Sequence, residues 1–305
     1  THITAGLPGD LIGKGNLAVT AANPKRIYAL IEAKPGGGLY RSDDAGLTWA
    51  LVNATSGLLQ RPFYYTTLGA DPTNADVVYA GAEGFYKSVD GGKTLTTMRT
   101  PHGDNHDMWV NPTNGQILIQ SNDGGANVSL NGGRTWSTQY NQPTAEIYGV
   151  WMDNAFPYNL YGAQQDNSTL RLSSQSVPGP REELGNMPGC ETGPIMPHRT
   201  NPDTVYGACK GQFSRMSMRT GQEQPYWNGG QSLYGNPGKD MILRFQRVSP
   251  MEVSPNEPNT VYYGSQYVHR TRDGGVTWQT ISPDLTLNDR SKMGSSGGLM
   301  SAGGA

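Results

Sequence analysis

The side chains best suited to chemistry fall in a few short stretches. His102, Asp104, His106 and Asp107 place two imidazoles and two carboxylates within six positions, a donor set that suits zinc and similar ions. The same groups can instead hydrogen-bond one another, so no cofactor is expected; His102, Asp104 and His106 are the candidates if a metal binds. Asp123, Asp166 and Glu191 are the carboxylates that could form an acid/base pair for glycoside hydrolysis, which needs one protonated and one ionised carboxyl. Asp123-Gly124-Gly125 also reads as a turn, and Asp166-Asn167 as a loop. Around them stand the amides of Asn105, Asn122, Gln164, Gln165 and Asn167, and the cations Arg244 and Arg247. Tyr226, Trp227 and Tyr234 flank Asn228-Gly229-Gly230 and can stack on sugar, grip peptide or cap neighbouring strands. No Ser-His-Asp signature, phosphate loop or His-Glu-x-x-His sequence is present.

A repeat must position these residues. Ser42-Asp43-Asp44-Ala45-Gly46-Leu47-Thr48-Trp49 recurs at Ser88–Leu95, Ser129–Trp136 and Thr271–Trp278. Each octet reads as a tight turn: Ser/Thr, then Asp/Asn, then Gly at a positive-φ position, with Thr-Trp or Thr-Leu starting the outgoing strand. The residues expected to build it are Ser42, Asp44, Gly46 and Trp49; Ser88, Asp90 and Gly92; Ser129, Asn131, Gly133 and Trp136; and Thr271, Asp273, Gly275 and Trp278. The role needs no ligand, so the octet speaks for the fold and leaves activity open.

A second phrase precedes each octet: a short apolar strand, an Asn/Pro turn, then a strand ending near Tyr. It appears with Asn23-Pro24, Asp71-Pro72 and Asn111-Pro112, then around Asn159-Leu160-Tyr161, Asn201-Pro202 and Asn256-Glu257-Pro258. That makes six repeats. The octets are 46 and 41 residues apart, and the last interval of 142 divides into three steps. A period of about 40–50 residues with four strands per unit predicts an all-β chain, a β-propeller whose octets are C–D turns. The blades are expected at about 15–53, 64–99, 106–140, 147–176, 193–227 and 250–283. Residues 1–7 read as an orphan outer strand and 284–305 as a linker into a further blade. A segment of a longer protein with a seven-bladed ring is therefore expected.

Bulk properties narrow the functional classes. The 305 residues include 41 Gly and 21 Pro, with only 16% charged, a composition that favours many short strands over helices. The net charge of −2 gives no basic surface for nucleic acid, and no apolar run is long enough to span a membrane. Cys190 should lie just before the first strand of the fifth repeat and Cys209 just after its second. Antiparallel neighbours bring those points together, so a bridge is expected, two free thiols being the alternative.

The octet resembles the Asp-box of the bacterial-neuraminidase-repeat proteins, which include sialidases, some xyloglucanases and the sortilin/Vps10 ectodomains. Longer stretches resemble large secreted bacterial proteins with sortilin-like repeats, a group often labelled glycosyl hydrolases. They include Thr100–Asp107, Ser121–Ser129, Tyr161–Asn167, Gly189–Pro194, Arg244–Arg247 and Gly264–Arg270. The sialidase version fits poorly, because Arg26-Ile27 is followed by Tyr28 where sialidases carry Arg-Ile-Pro. The resemblance and the loop pattern imply a secreted or periplasmic scaffold holding a protein or peptide on its loop-rich face. The alternatives are a glycoside hydrolase acting on polysaccharide and a structural subunit of an extracellular assembly.

Overall fold

The computed structural model describes residues 4–9, 11–142, 145–175, 185–228 and 236–294. They form two compact units, the first ending at Thr144 and the second beginning at Ala145. Among the described residues the first unit holds three antiparallel sheets and the second unit three more, each built from strands consecutive in sequence. The first sheet comprises Leu11–Val19, Ile27–Lys34, Gly38–Ser42 and Ala50–Asn53. The second comprises Thr67–Ala70, Val78–Gly81, Phe85–Ser88 and Thr96–Met98. The fourth begins at Ile147–Met152, the fifth at Ile195–Pro197 and the sixth at Met251–Val253, each with four strands. Sequential four-stranded antiparallel sheets of this kind are the blades of a β-propeller, and the chain is all-β as its sequence predicts.

The third sheet departs from the pattern. It has three strands, Asn105–Val110, Leu118–Asn122 and Gly125–Ser129. The fourth position is reduced to Ser137, whose N–H donates to the Val128 carbonyl at 2.8 Å while its Oγ accepts from the Val128 N–H at 3.0 Å. The first strand of the first sheet also starts before the expected blade boundary at about residue 15, reaching back to Leu11.

A repeated tyrosine anchors most of the sheets. Tyr28, Tyr79, Tyr161 and Tyr206 occupy equivalent second-strand positions and are buried, while in the sixth sheet that position is Tyr262 and the buried ring is the next residue, Tyr263. Burying such a ring contributes about 1.5–3 kcal/mol. In the second unit Phe213 lies at the centre of the aromatic core, 5.6 Å from Tyr206 and 5.1 Å from Trp278 between ring centroids.

The four octets close by one hydrogen-bond scheme. Ser42 Oγ donates to Asp44 Oδ1 at 2.8 Å and accepts from the Gly46 N–H at 2.8 Å. The Asp44 carboxylate accepts from the Thr48 N–H at 2.9 Å and from its hydroxyl at 2.6 Å. Ser88 with Asp90 and Thr271 with Asp273 repeat this scheme. Asn131 repeats it with the side-chain bond reversed, its Nδ2 donating to Thr135 Oγ1. Gly46, Gly92, Gly133 and Gly275 all have positive φ, between 84° and 103°. At Gly275 a Cβ would also stand 2.4 Å from the Phe213 ring. Trp49 and Trp278 close the turn by donating Nε1–H to the Gly46 and Gly275 carbonyls, each at 3.0 Å. The buried Trp136 Nε1 has no acceptor among the described residues.

Cations staple successive sheets together. Arg41, just before the first octet, donates to the Gly91 carbonyl in the second at 3.1 Å. Lys87 reaches the Gly132 carbonyl in the third at 3.3 Å. Arg215 in the fifth sheet lies against Gly274 of the sixth, where a Cβ would stand 2.7 Å from its Nη1.

Candidate functional site

In each sheet the second-to-third strand loop and the connection to the next sheet emerge at one end, opposite the octet turns. Most of the expected site residues lie at this end, in two separate clusters.

The first-unit cluster forms around Asp123 and Asp104. Asp123 occupies the two-residue hairpin loop between Asn122 and Gly125, which pair across the tip. There it meets His106 from the adjacent first strand, with Nε2 2.6 Å from Asp123 Oδ1. Tyr64 packs edge-on to the His106 ring at 5.2 Å and to Tyr65 at 5.0 Å. Asp104, held at a φ of 57°, accepts from the Tyr65 hydroxyl and pairs with Arg61 at 3.3 Å. Arg61 also grips Glu83 at 2.8 Å.

The proposed metal donors therefore diverge. Asp104 turns to Tyr65 and Arg61, and His106 to Asp123. His102 Nδ1 lies 3.0 Å from the Gly103 carbonyl, while Asp107 accepts from the Met108 N–H at 2.8 Å. Among the described residues no three His, Cys, Asp or Glu side chains converge as a metal-binding group.

Two of the amide candidates face inward. Asn105 is fully buried, donates to the Ala82 and Glu83 carbonyls and accepts from Gln120 Nε2 at 2.6 Å. Asn122 donates to Gln120 Oε1 at 3.0 Å and to Asn127 Oδ1 at 3.1 Å, and Gln139 Nε2 donates to both Asn122 and Asn127. This chain of amides carries hydrogen bonds across the third sheet, where the fourth strand is absent, and satisfies polar atoms that would be costly to bury unpaired.

The second-unit cluster is built on the Cys190–Cys209 disulfide, whose Cα atoms are 5.1 Å apart. The next two residues, Lys210 and Gly211, form a two-residue hairpin turn with φ values of 50° and 97°, the positive pair that suits strand twist. This turn aims Lys210 Nζ at Glu191 Oε1, 2.5 Å away. Glu191 Oε2 accepts from the Asp166 N–H at 2.9 Å, and Arg247 stands 3.6 Å from Glu191 and over the Tyr148 ring. Burial alone would raise the Glu191 pKa. The Lys210 ammonium and the bonds from Asp166 outweigh burial and hold it at about 2. Tyr148 donates its hydroxyl to Gln165 Oε1, and Asn167 Nδ2 donates to the Gln165 carbonyl at 3.2 Å. Gln164 ends the strand that leads into this loop.

The remaining candidates lie outside the two clusters. Arg244 ties down the chain after the sixth sheet, reaching Asp284 at 3.0 Å and Thr286 at 2.8 Å. Tyr226 packs against Phe213, and its hydroxyl lies 3.3 Å from Arg215 near the octet end of the fifth sheet. Trp227 shares that outer strand, pairing with Gln212. Tyr234 lies outside the described residues, as do residues 1–3 and 295–305 of the expected terminal segments. Sequence reasoning missed Arg61, Tyr64, Tyr65 and Glu83 in one cluster and Lys210 and Tyr148 in the other. The connection between Asn53 and Thr67, which contains Arg61-Pro62-Phe63-Tyr64-Tyr65, was a signal: it is longer than a tight connection needs.

No protein-family model matches the chain. A curated xyloglucanase from Hypocrea jecorina (strain QM6a) is 30% identical over 47% of this chain and 22% of its own length, so the chain spans about a fifth of that relative. Among solved structures, a GH74 enzyme from Niastella koreensis aligns with a TM-score of 0.37 and 13% identity, covering 88% of this chain and 59% of that one. YCF48 bound to D1 peptide aligns at a TM-score of 0.33 and 10% identity, covering 93% and 88%. The fold assignment rests on the six sheets and their register.

Proposed function

We propose that the chain is part of a secreted or periplasmic β-propeller of the sortilin-like Asp-box type that holds a protein or peptide on its loop-bearing strand ends. The exposed aromatic and charged surface around Arg61 carries this reading. Lys210 and Asp166 hold Glu191 ionised, which excludes it only as the protonated member of a hydrolase pair that needs one protonated and one ionised carboxyl. Asp123 is engaged with His106. Phe63 and Tyr64 are partly exposed beside the Arg61–Glu83 and Arg61–Asp104 pairs, a mixture of aromatic area and charge that suits a polypeptide partner. The disulfide fits an oxidising compartment, and no described helix is long and apolar enough to cross a membrane.

A peptide array probed with the chain tests the proposal. Selective capture that falls at least about tenfold with Tyr64→Ala or Arg61→Ala is expected, in keeping with aromatic and Arg anchors. Capture indifferent to both would contradict it. The identity to a xyloglucanase favours a second reading, in which the same edge hydrolyses polysaccharide.

A further inference from the structure

The fifth sheet lacks an octet, and a cleft of about 410 Å³ opens at the end where the octet would lie. It is formed by the first-to-second strand turn, Asn201–Thr204, the third-to-fourth strand turn, Ser217–Gln222, and Asn259 from the sixth repeat. The disulfide and Lys210 are at the opposite end of the same strands. Its volume falls within the range of small-molecule sites, about 300–1,000 Å³.

The lining is polar and carries one excess positive charge. Asp203 is already engaged, accepting from Ser217 Oγ at 3.0 Å and from the Arg219 N–H at 2.6 Å. Arg215 is fixed in place by Gln224 Oε1 at 2.8 Å and the Tyr226 hydroxyl at 3.3 Å. The Arg219 side chain is exposed and has no hydrogen bond or ion pair to any described residue. Beside it stand the hydroxyl of Thr220 and the amide of Gln222.

We propose that this cleft binds an acidic sugar unit, a hexuronate of a polysaccharide or glycan. The Arg219 guanidinium takes the carboxylate through a charge-assisted pair of N–H donors, and the neighbouring amides and hydroxyl take the ring hydroxyls. The charge balance favours a monoanion over a phosphate monoester. The volume and the many neutral donors and acceptors favour a pyranose over a bare inorganic anion. The site is independent of the loop-bearing edge and stands whichever ligand that edge holds.

Titration calorimetry of the chain with trigalacturonate tests the inference, with methyl-esterified trigalacturonate, galactotriose and sodium sulfate as comparison ligands. Trigalacturonate should bind, and esterification should weaken it at least about tenfold, as should Arg219→Gln, the effect of losing one strong charged hydrogen-bond pair. Arg219→Lys should recover part of the loss. Because the Arg219 side chain makes no hydrogen bond or ion pair with a described residue, Arg219→Gln should unfold at the same temperature as the unaltered chain. The inference is overturned by no binding, by equal binding of galactotriose, or by Arg219→Gln binding unchanged. Sulfate competing as well as trigalacturonate would overturn it too, by showing an anion site without sugar recognition.

Discussion

The fifth and sixth sheets share one aromatic core but close their outer turns differently. In the sixth, Thr271 and Asp273 lie two residues apart, and their side chains fold the turn onto itself through Gly275 and Thr277. Trp278 then covers Phe213. In the fifth, Ser217 finds its carboxylate on Asp203, from the turn between the first two strands. On its outer strand Tyr226 packs on Phe213 and points its hydroxyl at Arg215. A carboxylate supplied from within the turn makes a compact closure. One supplied from the neighbouring turn leaves an open cleft beside the same core.

The largest expected effect tests the shared core. Phe213→Ala should destabilise the second unit by about 3–5 kcal/mol, the range for deleting a fully buried ring. Urea unfolding followed by the fluorescence of Trp151 and Trp278 would measure it. A loss below about 1 kcal/mol would mean that the two sheets do not depend on this ring.

Removing the bridge addresses the opposite end of the fifth sheet. Cys190 and Cys209 are 19 residues apart, and closing a loop of that size contributes about 3 kcal/mol in the chain-entropy model. Cys190→Ser combined with Cys209→Ser should lower the urea midpoint accordingly. An unchanged midpoint would show that the Lys210 turn holds without the bridge.

The turns themselves can be compared directly. Thr271 Oγ1 is the acceptor for the buried Gly275 N–H, so Thr271→Ala should cost about 1–2 kcal/mol. Ser217→Ala should cost less, because Ser217 accepts only a longer bond of 3.3 Å, from the Thr220 N–H. Equal losses in thermal unfolding would remove the distinction between the two closures.

The smallest effect is in acid. Bonds from the Thr277 hydroxyl and N–H hold the Asp273 pKa at about 2, below its ordinary 3.8. A carboxyl depressed in the folded state contributes stability that is fully present above its ordinary value and is lost as pH falls through its folded one. Amide exchange at Thr277 should therefore stay protected from pH 7 to about 4 and accelerate toward pH 2 (beyond the intrinsic rate). Acceleration already complete at pH 4 would contradict the turn's bond scheme.

What was legible in the sequence was local. The octet needs partners within eight residues, the buried tyrosine repeats at one strand position in most sheets, and the two cysteines bracket one hairpin. All three could be read from spacing. The amide chain from Asn105 to Gln139 and the Arg41, Lys87 and Arg215 staples join residues on different strands or sheets, which spacing does not reveal. Parts of the candidate site were hidden for the same reason. Asn105 and Asn122 looked like loop amides yet are linked through Gln120 inside the third sheet, and Tyr226, read as either a stacking or a capping ring, covers Phe213. Conversely, Lys210 reads as an ordinary turn residue until the hairpin brings it to Glu191.

The central proposal is that the loop-bearing strand ends bind without catalysing. Its most direct test is release of reducing sugar from a polysaccharide panel that includes xyloglucan, with the chain compared with Asp123→Ala and Asp166→Ala. The account predicts no turnover above background for any of the three. Turnover by the unaltered chain that disappears in either variant would contradict it and establish the hydrolase reading.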